Sequence, residues 1–156
     1  MPADTLVRDV MSTNVSTLRG ETPITEAADT MAASGFGAMP VVDEKGHLLG
    51  LLRDDDLLAT EARVHVPTFF NFFDATIPLP GEMHHLKKEL ERIAGSTVAD
   101  VMDQDPLTIG PDETLEELAT RMHDAEISHV PVVDADGKVV GVVARGDIVK
   151  FIARTT

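Results

Sequence analysis

The sequence contains an internal repeat, which constrains the fold more than any other feature. Residues 9–58 align with residues 100–149 without a gap, at a constant offset of 91 positions (100 − 9 = 91). About fourteen of the fifty aligned positions are identical, many more than chance gives. One copy of this size has too little core to be stable alone. We therefore expect the two copies to pack against each other as a pseudo-twofold pair.

Each copy has the same predicted order of elements: strand, amphipathic helix, two strands joined by a tight turn, and a closing helix. The apolar residues of the long helix recur at helical spacing, and Thr22 and Asp112 are the predicted N-terminal caps. The predicted ranges in the first and second copy are 15–18 and 106–109 (strand), 23–34 and 114–125 (helix), 38–42 and 129–133 (strand), and 47–52 and 139–143 (strand), with closing helices from Asp56 and Asp147.

The same series of motifs occurs in both copies. Asp-Val-Met, at 9–11 and 100–102, is followed by the helix, then by Pro-Val-Val-Asp, a turn, a Gly and the closing Asp. This series resembles the CBS domain, and two such copies resemble a Bateman module. The resemblance implies an α+β fold of two tandem β-α-β-β-α repeats, packed as a pseudo-twofold pair with an inserted connector. The predicted boundaries are 1–60 for the first repeat, 61–96 for the connector and 97–156 for the second repeat.

Composition and charge exclude several classes of function. A net charge of −14 without any basic block argues against nucleic acid as a partner. There is no cysteine, so disulfides and thiolate metal sites are excluded. No apolar run approaches the roughly 20 residues that span a bilayer, and the N-terminus lacks signal-peptide features. We expect a cytoplasmic protein without a membrane span, without a metal site and without catalytic activity.

The resemblance implies an adenosine-type ligand, namely AMP, ADP, ATP or S-adenosylmethionine, bound at the seam between the repeats. It is a regulatory ligand, and no cofactor is expected. The closing Asp56 or Asp147 would accept hydrogen bonds from the ribose hydroxyls, although either carboxylate could instead be only a helix cap. By this resemblance one cleft combines Val142, Ala144, Arg145, Gly146 and Asp147 with Met11, Phe36 and Gly37. The other combines Leu51, Arg53, Asp55 and Asp56 with Thr97, Met102, Ile127 and Ser128.

The sequence departs from the family pattern three residues before each closing Asp. Nucleotide-binding relatives usually have Ser or Thr there, whereas this chain has Arg53 and Ala144. Arg53 can pair with phosphate, but the acidic run 54–56 would repel the ligand or neutralise the guanidinium. We therefore predict that the Asp147 cleft is the better nucleotide site. His129 either pairs with a ligand phosphate or bonds a backbone group at the end of its strand.

The connector differs from the two repeats in its Phe content. Residues 66–73 hold four of the six Phe of the chain, and a helix is predicted over 82–94. Such a Phe cluster must be buried. It either covers the core, forms a homodimer contact or, less in keeping with the acidity, attaches to a membrane surface.

Together these features predict a non-catalytic sensor module that binds an adenosine-type ligand and passes its occupancy to an unknown effector protein or to a homodimer interface. The alternative, from a different class, is a structural dimerisation module with vestigial clefts. The absence of a donor at Ala144 and the acidic run after Arg53 favour that alternative.

Overall fold

A computed structural model describes residues 4–58 and 96–155. The predictions made for the Phe cluster and the helix of the connector lie outside these residues. The first repeat contains a 3-10 turn (Val7–Asp9), β1 (Leu18–Arg19), α1 (Ile24–Ser34), β2 (Ala38–Val42), β3 (Leu48–Arg53) and helical residues at 54–58. The second repeat contains α2 (Val98–Val101), α3 (Leu115–Ala125), β4 (His129–Val133), β5 (Val139–Ala144) and α4 (Arg145–Thr155).

The strands form two small sheets with matching register. In the first, β1 is parallel to β2 and β2 is antiparallel to β3, whereas β4 and β5 form an antiparallel pair. A parallel bridge between Ile109 and Val132 reproduces the pairing of Leu18 with Val41. The extended pieces predicted from positions 15 and 106 were therefore too long, because only their last residues reach the neighbouring strand.

The long helices begin within one residue of the predicted start, but both predicted caps were wrong. The N-cap residue of α1 is Pro23, with no side-chain cap, and the first N–H of the helix, that of Ile24, donates to the carbonyl of Ser96 at 3.0 Å. In α3 the cap is Thr114, whose hydroxyl accepts from the N–H of Glu117 at 3.2 Å. Asp112 instead forms an ion pair with Arg8.

Both hairpins turn at a glycine in the left-handed region. Gly46 has φ 88° and Gly137 has φ 83°, a conformation that side chains with a Cβ rarely adopt. The carboxylate of Asp43 accepts from the N–H groups of Lys45 and His47, and Asp134 plays the same part in the second turn. The predicted turn chemistry is thus present in both repeats.

The two repeats exchange their leading segments. Val7, from the start of the chain, is fully buried in the core formed by residues 109–148 of the second repeat. Val98, its counterpart 91 positions later, is fully buried in the core formed by residues 18–52 of the first. Each core is therefore completed by the other copy, which is a physical reason for the two copies to fold together.

Backbone hydrogen bonds join the repeats around the pseudo-twofold axis. The N–H of Leu48 donates to the carbonyl of Gly137 at 3.0 Å, and Val139 donates to Gly46 at 3.1 Å. The second pair of links consists of the reciprocal bonds between Ser12 and Val142 and between Leu51 and Asp103.

Candidate functional site

A cavity of about 270 Å³ lies at the seam between the repeats. Its volume is near the lower end of the roughly 300–1,000 Å³ typical of small-molecule sites. The first repeat lines it with two segments, one before β1 and one around the end of α1 and β2, and the second repeat lines it with β4, β5 and the start of α4. The first repeat contributes Ser12, Asn14, Val15, Ser16, Gly35, Phe36, Gly37, Ala38 and Pro40. The second contributes His129, Val142, Ala144 and Asp147.

Asp147 lies in the first turn of α4, which begins two residues before the predicted start at Asp147. The helix begins at Arg145, and Oδ2 of Asp147 accepts the N–H of Ala144 at 2.8 Å. The equivalent bond joins the N–H of Arg53 to Oδ2 of Asp56 at 2.9 Å, in a helix that begins at residue 54. A carboxylate has about four acceptor positions, so this bond leaves Asp147 able to accept from a ligand as well.

Phe36 provides the aromatic wall of the cavity. It lies between Gly35, which ends α1 with φ 71°, and Gly37. A Cβ on Gly37 would lie 3.1 Å from Cε1 of His129, so a side chain at that position would press on the imidazole ring. The Phe36 side chain remains 41% exposed. An exposed aromatic ring at the edge of a cavity suits stacking against a flat heterocycle.

His129 is half-buried and lines the same cavity. Its Nδ1 lies 2.9 Å from Oγ of Ser128, so its partner is a side-chain hydroxyl and not the backbone. Burial lowers the pKa of His129 below its ordinary value of 6.5, and the nearby Arg53 and Arg145 act in the same direction against the carboxylates of Asp54 and Asp147. The imidazole is therefore neutral at pH 7.

The structure brings six of the predicted ligand-binding residues together in one cavity, among them His129, and places three of the residues predicted for this cleft elsewhere. Met11 packs its sulfur against Gly141, where an added Cβ would lie only 2.6 Å from Sδ. Arg145 and Gly146 are exposed at the start of α4 and are not among the lining residues. The six that line the cavity are Phe36, Gly37, His129, Val142, Ala144 and Asp147.

Sequence reasoning missed the polar lining residues Ser12, Asn14 and Ser16. They follow the Asp-Val-Met motif, and the reciprocal backbone bonds between Ser12 and Val142 hold this segment against the second repeat. The position directly after a repeated motif was the available signal, but it does not reveal that the segment lies against the other copy.

At the second cleft, Arg53 is paired across the seam. Its Nη1 donates to Oδ2 of Asp103 at 3.0 Å, and the side chains are 22% exposed in Arg53 and 37% exposed in Asp103. The backbone groups of Leu51 and Asp103 exchange two bonds of 3.0 Å beside this ion pair. The guanidinium is thus neutralised by Asp103, a residue of the other repeat, while Asp54 and Asp55 of the acidic run are exposed.

The surroundings of Asp103 lower the pKa of its carboxyl group. Burial raises the pKa of Asp103, but the N–H of Asp105 at 3.0 Å and the Arg53 guanidinium lower it by more, so the pKa lies below the ordinary 3.8. The aligned positions near the first cavity are Ser12 and Ala144, which carry no charge. The pseudo-twofold pair is therefore asymmetric in charge at its two clefts.

The remaining residues predicted for the second cleft have structural contacts in the described part of the chain. Thr97 donates two hydrogen bonds to the carboxylate of Asp100 in the first turn of α2, from its N–H at 2.9 Å and from its hydroxyl at 3.1 Å. Met102 packs against Gly50, and Ile127 packs on the core of the second repeat. Ser128 is engaged with His129.

Within residues 4–58 and 96–155, no group of three or more His, Asp or Glu side chains is placed to hold a metal ion. In the same part of the chain, no helix has the length and apolar character needed to cross a bilayer.

The two repeats complete each other's cores and enclose a cavity at their seam, which defines a tandem pair of domains. The CBS domain model matches residues 7–62 and 98–154, so the chain belongs to the CBS domain family and carries a pair of these domains. The family and fold implied by the sequence motifs are confirmed.

Relatives in sequence include proteins with and without enzyme names. CBSX2, a chloroplastic CBS domain-containing protein of Arabidopsis thaliana, is 29% identical over 140 residues, which are 88% of this chain and 58% of CBSX2. The chain thus spans little more than half of that relative. The homoserine O-acetyltransferase of Methanococcoides burtonii is 28% identical over 148 residues, 95% of this chain but 24% of the enzyme.

Solved structures of CBS pairs share the fold. The crystal structure of CBSX2 in complex with AMP superposes with a TM-score of 0.76 at 25% identity, covering 97% of this chain and 98% of that chain. The CBS domain pair of protein MJ0100, in complex with 5′-methylthioadenosine and S-adenosyl-L-methionine, gives a TM-score of 0.70 at 26% identity, covering 99% and 100%.

Proposed function

We propose that this chain is a non-catalytic regulatory module that binds an adenosine-type ligand in the cavity beside Asp147. The observation that carries the proposal is the composition of that cavity. It is built from both repeats, and its lining includes the apolar residues Phe36, Val142 and Pro40 together with the carboxylate of Asp147. Such a wall suits adenine, and the carboxylate suits the two neighbouring hydroxyls of a ribose.

The relatives support this proposal. CBSX2 was crystallised with AMP, and the pair from MJ0100 with 5′-methylthioadenosine and S-adenosyl-L-methionine. The match to the acetyltransferase covers 24% of that enzyme, so most of that protein lies outside the region shared with this chain. Because the cavity touches both repeats, a ligand that binds one relative arrangement of them more tightly would shift the pair toward it. An effector protein would bind according to the arrangement that the repeats adopt.

For the location we propose the cytoplasm, as the sequence predicts. The chloroplastic name of CBSX2 makes an organelle the competing location. Imaging of a fluorescent fusion in the source organism would distinguish the two.

The test of the ligand site is the substitution Asp147→Ala, followed by isothermal titration with adenosine, AMP and S-adenosylmethionine. We expect at least a 30-fold loss of affinity, because the ribose loses its acceptor. The free energy of unfolding should fall by only about 1 kcal/mol, the usual effect of losing a helix-terminal hydrogen bond.

The matched control is Asp56→Ala, which removes the same kind of helix-terminal bond in the first repeat. It should cost similar stability and leave the affinity unchanged. Asp147→Asn, which keeps an acceptor for the N–H of Ala144, guards against loss of fold in the alanine variant. Equal loss of affinity in the two alanine variants would contradict the assignment to the Asp147 cavity.

The second candidate is a structural dimerisation module, and exposed apolar residues favour it. Leu58 and Val149 occupy equivalent positions (58 + 91 = 149) and are 64% and 59% exposed. Two such residues related by the pseudo-twofold axis suit a symmetric contact with a second copy. This candidate predicts no heat with any adenosine compound, and a dimer in analytical ultracentrifugation that the double variant Leu58→Glu, Val149→Glu converts to a monomer.

A further inference from the structure

The charge balance of the cavity at Asp147 distinguishes between adenosine ligands. Among the described residues that line it, the acidic side chain is Asp147, and none is Lys or Arg. The other titratable lining residue, His129, is neutral at pH 7 because burial lowers its pKa. The chain as a whole carries a net charge of −14. The field at the cavity therefore disfavours an anion.

The two arginines whose charges act on His129 do not line the cavity. Arg53 donates to Asp103 across the seam at 3.0 Å, and that bond neutralises its charge. Arg145 is exposed at the start of α4 and does not line the cavity.

Part of the backbone at the start of α4 is already bonded within the protein. The N–H of Ala144 donates to the Asp147 carboxylate at 2.8 Å, and the N–H of Arg145 donates to the carbonyl of Ser128 at 2.8 Å. Two of the groups that could hold a phosphate at a helix N-terminus are thus already bonded within the protein. The neutral donors Ser12, Asn14 and Ser16 can hydrogen-bond a phosphate but do not balance its charge.

We infer that this cavity selects adenosine derivatives whose 5′ substituent is neutral or cationic, such as a thioether or a sulfonium, over adenosine 5′-phosphates. The inference rests on the proposed function, since it assumes that the adenosine moiety binds beside Asp147. A 5′-phosphate brings roughly two negative charges into a site that already holds a carboxylate. A sulfonium brings one positive charge that this carboxylate attracts.

The experiment is isothermal titration of the full chain with adenosine, 5′-methylthioadenosine, S-adenosylmethionine, AMP and ATP, the last with and without Mg²⁺. We expect 5′-methylthioadenosine and S-adenosylmethionine to bind at least 10-fold more tightly than AMP, and ATP to bind more weakly than AMP. AMP or ATP binding as tightly as the thioether would overturn the inference while leaving the proposed function intact. Failure of every compound, adenosine included, would overturn both.

A variant with an added charge tests the cause directly. Ala144, at the end of β5, lines the cavity and is half-buried. Ala144→Lys should shift the ratio of AMP affinity to 5′-methylthioadenosine affinity at least 10-fold toward AMP. Ala144→Met adds similar bulk without charge and should leave the ratio unchanged. Equal shifts in the two variants would show that shape, and not charge, sets the preference, and would overturn the inference.

Discussion

His129 both packs against the other repeat and lines the cavity. Its ring presses against Gly37, 3.1 Å from where a Cβ would stand, and its Nδ1 is satisfied by Ser128 at 2.9 Å. Gly37 comes from the first repeat and His129 from the second, so the ring is also part of the seam. Its protonation must therefore affect the folded state and the ligand site together.

The free energy of unfolding should fall as the pH drops below 6.5, the ordinary pKa of a histidine side chain. Burial lowers the pKa of His129 in the folded state, so the unfolded chain binds the proton first. The contribution of neutral His129 to stability is fully present above the pKa that this residue has in the unfolded chain. It is lost as the pH falls through the pKa of His129 in the folded protein. Urea unfolding at pH 7.5 and pH 5 should show a smaller decline for His129→Gln than for the wild type. The exposed His123, changed to Gln, is the control, and an equal change in the two variants would contradict this account.

At the scale of elements, the close approach of the repeats depends on glycines in β3 and β5. A Cβ on Gly50 would lie 2.6 Å from the backbone oxygen of Asp103 and 2.6 Å from the sulfur of Met102. On Gly141 it would lie 2.6 Å from the sulfur of Met11, but 3.0 Å from the backbone oxygen of Ser12. A methionine sulfur can move aside, whereas a backbone carbonyl held by two reciprocal bonds cannot.

We therefore expect Gly50→Ala to be more destabilising than Gly141→Ala. Both overpack a strand against the leading segment of the other repeat, which typically costs about 1–3 kcal/mol. Gly50→Ala should lie at the upper end of this range and Gly141→Ala at the lower end, in the free energy of unfolding measured with urea. Gly146→Ala, with no atom within 4 Å of its added Cβ, is the control and should not destabilise. The opposite order of Gly50 and Gly141 would show that the carbonyl contacts are not decisive.

The elements also show which features the sequence can predict. The helices α1 and α3 begin within one residue of their predicted start, because apolar spacing is a local signal. The cap of α1 was not predictable, since its partner is the carbonyl of Ser96, more than seventy positions away in the chain. The lining residues of the cavity were likewise predictable only in part. The closing Asp147 belongs to a repeated motif, whereas Asn14 reaches the site only through the placement of its segment on the other repeat.

At the scale of the whole molecule, the exchange of leading segments makes the two repeats interdependent. Each core contains one fully buried valine from the other copy: Val7 belongs to the second core and Val98 to the first. The reciprocal backbone bonds across the seam, such as Leu48 to Gly137, add a second connection. The boundaries predicted from the repeat, 1–60 and 97–156, therefore describe the sequence copies, while each packing unit also contains a segment of the other copy.

This interdependence predicts that the two repeats unfold together. Val7→Ala and Val98→Ala should each lower the free energy of unfolding by an amount on the order of 2 kcal/mol, the sum of lost burial and a small cavity. Because the chain has neither Trp nor Tyr, far-UV circular dichroism and hydrogen exchange are the suitable probes. Val7→Ala should weaken the exchange protection of β2 in the first repeat as much as that of β4 in the second, although the substituted side chain lies only in the second core.

The control is Val149→Ala, which truncates an exposed valine and should change the free energy of unfolding by less than about 0.5 kcal/mol. Two separate unfolding transitions, or loss of protection confined to the second repeat, would mean that the exchanged segments do not couple the cores.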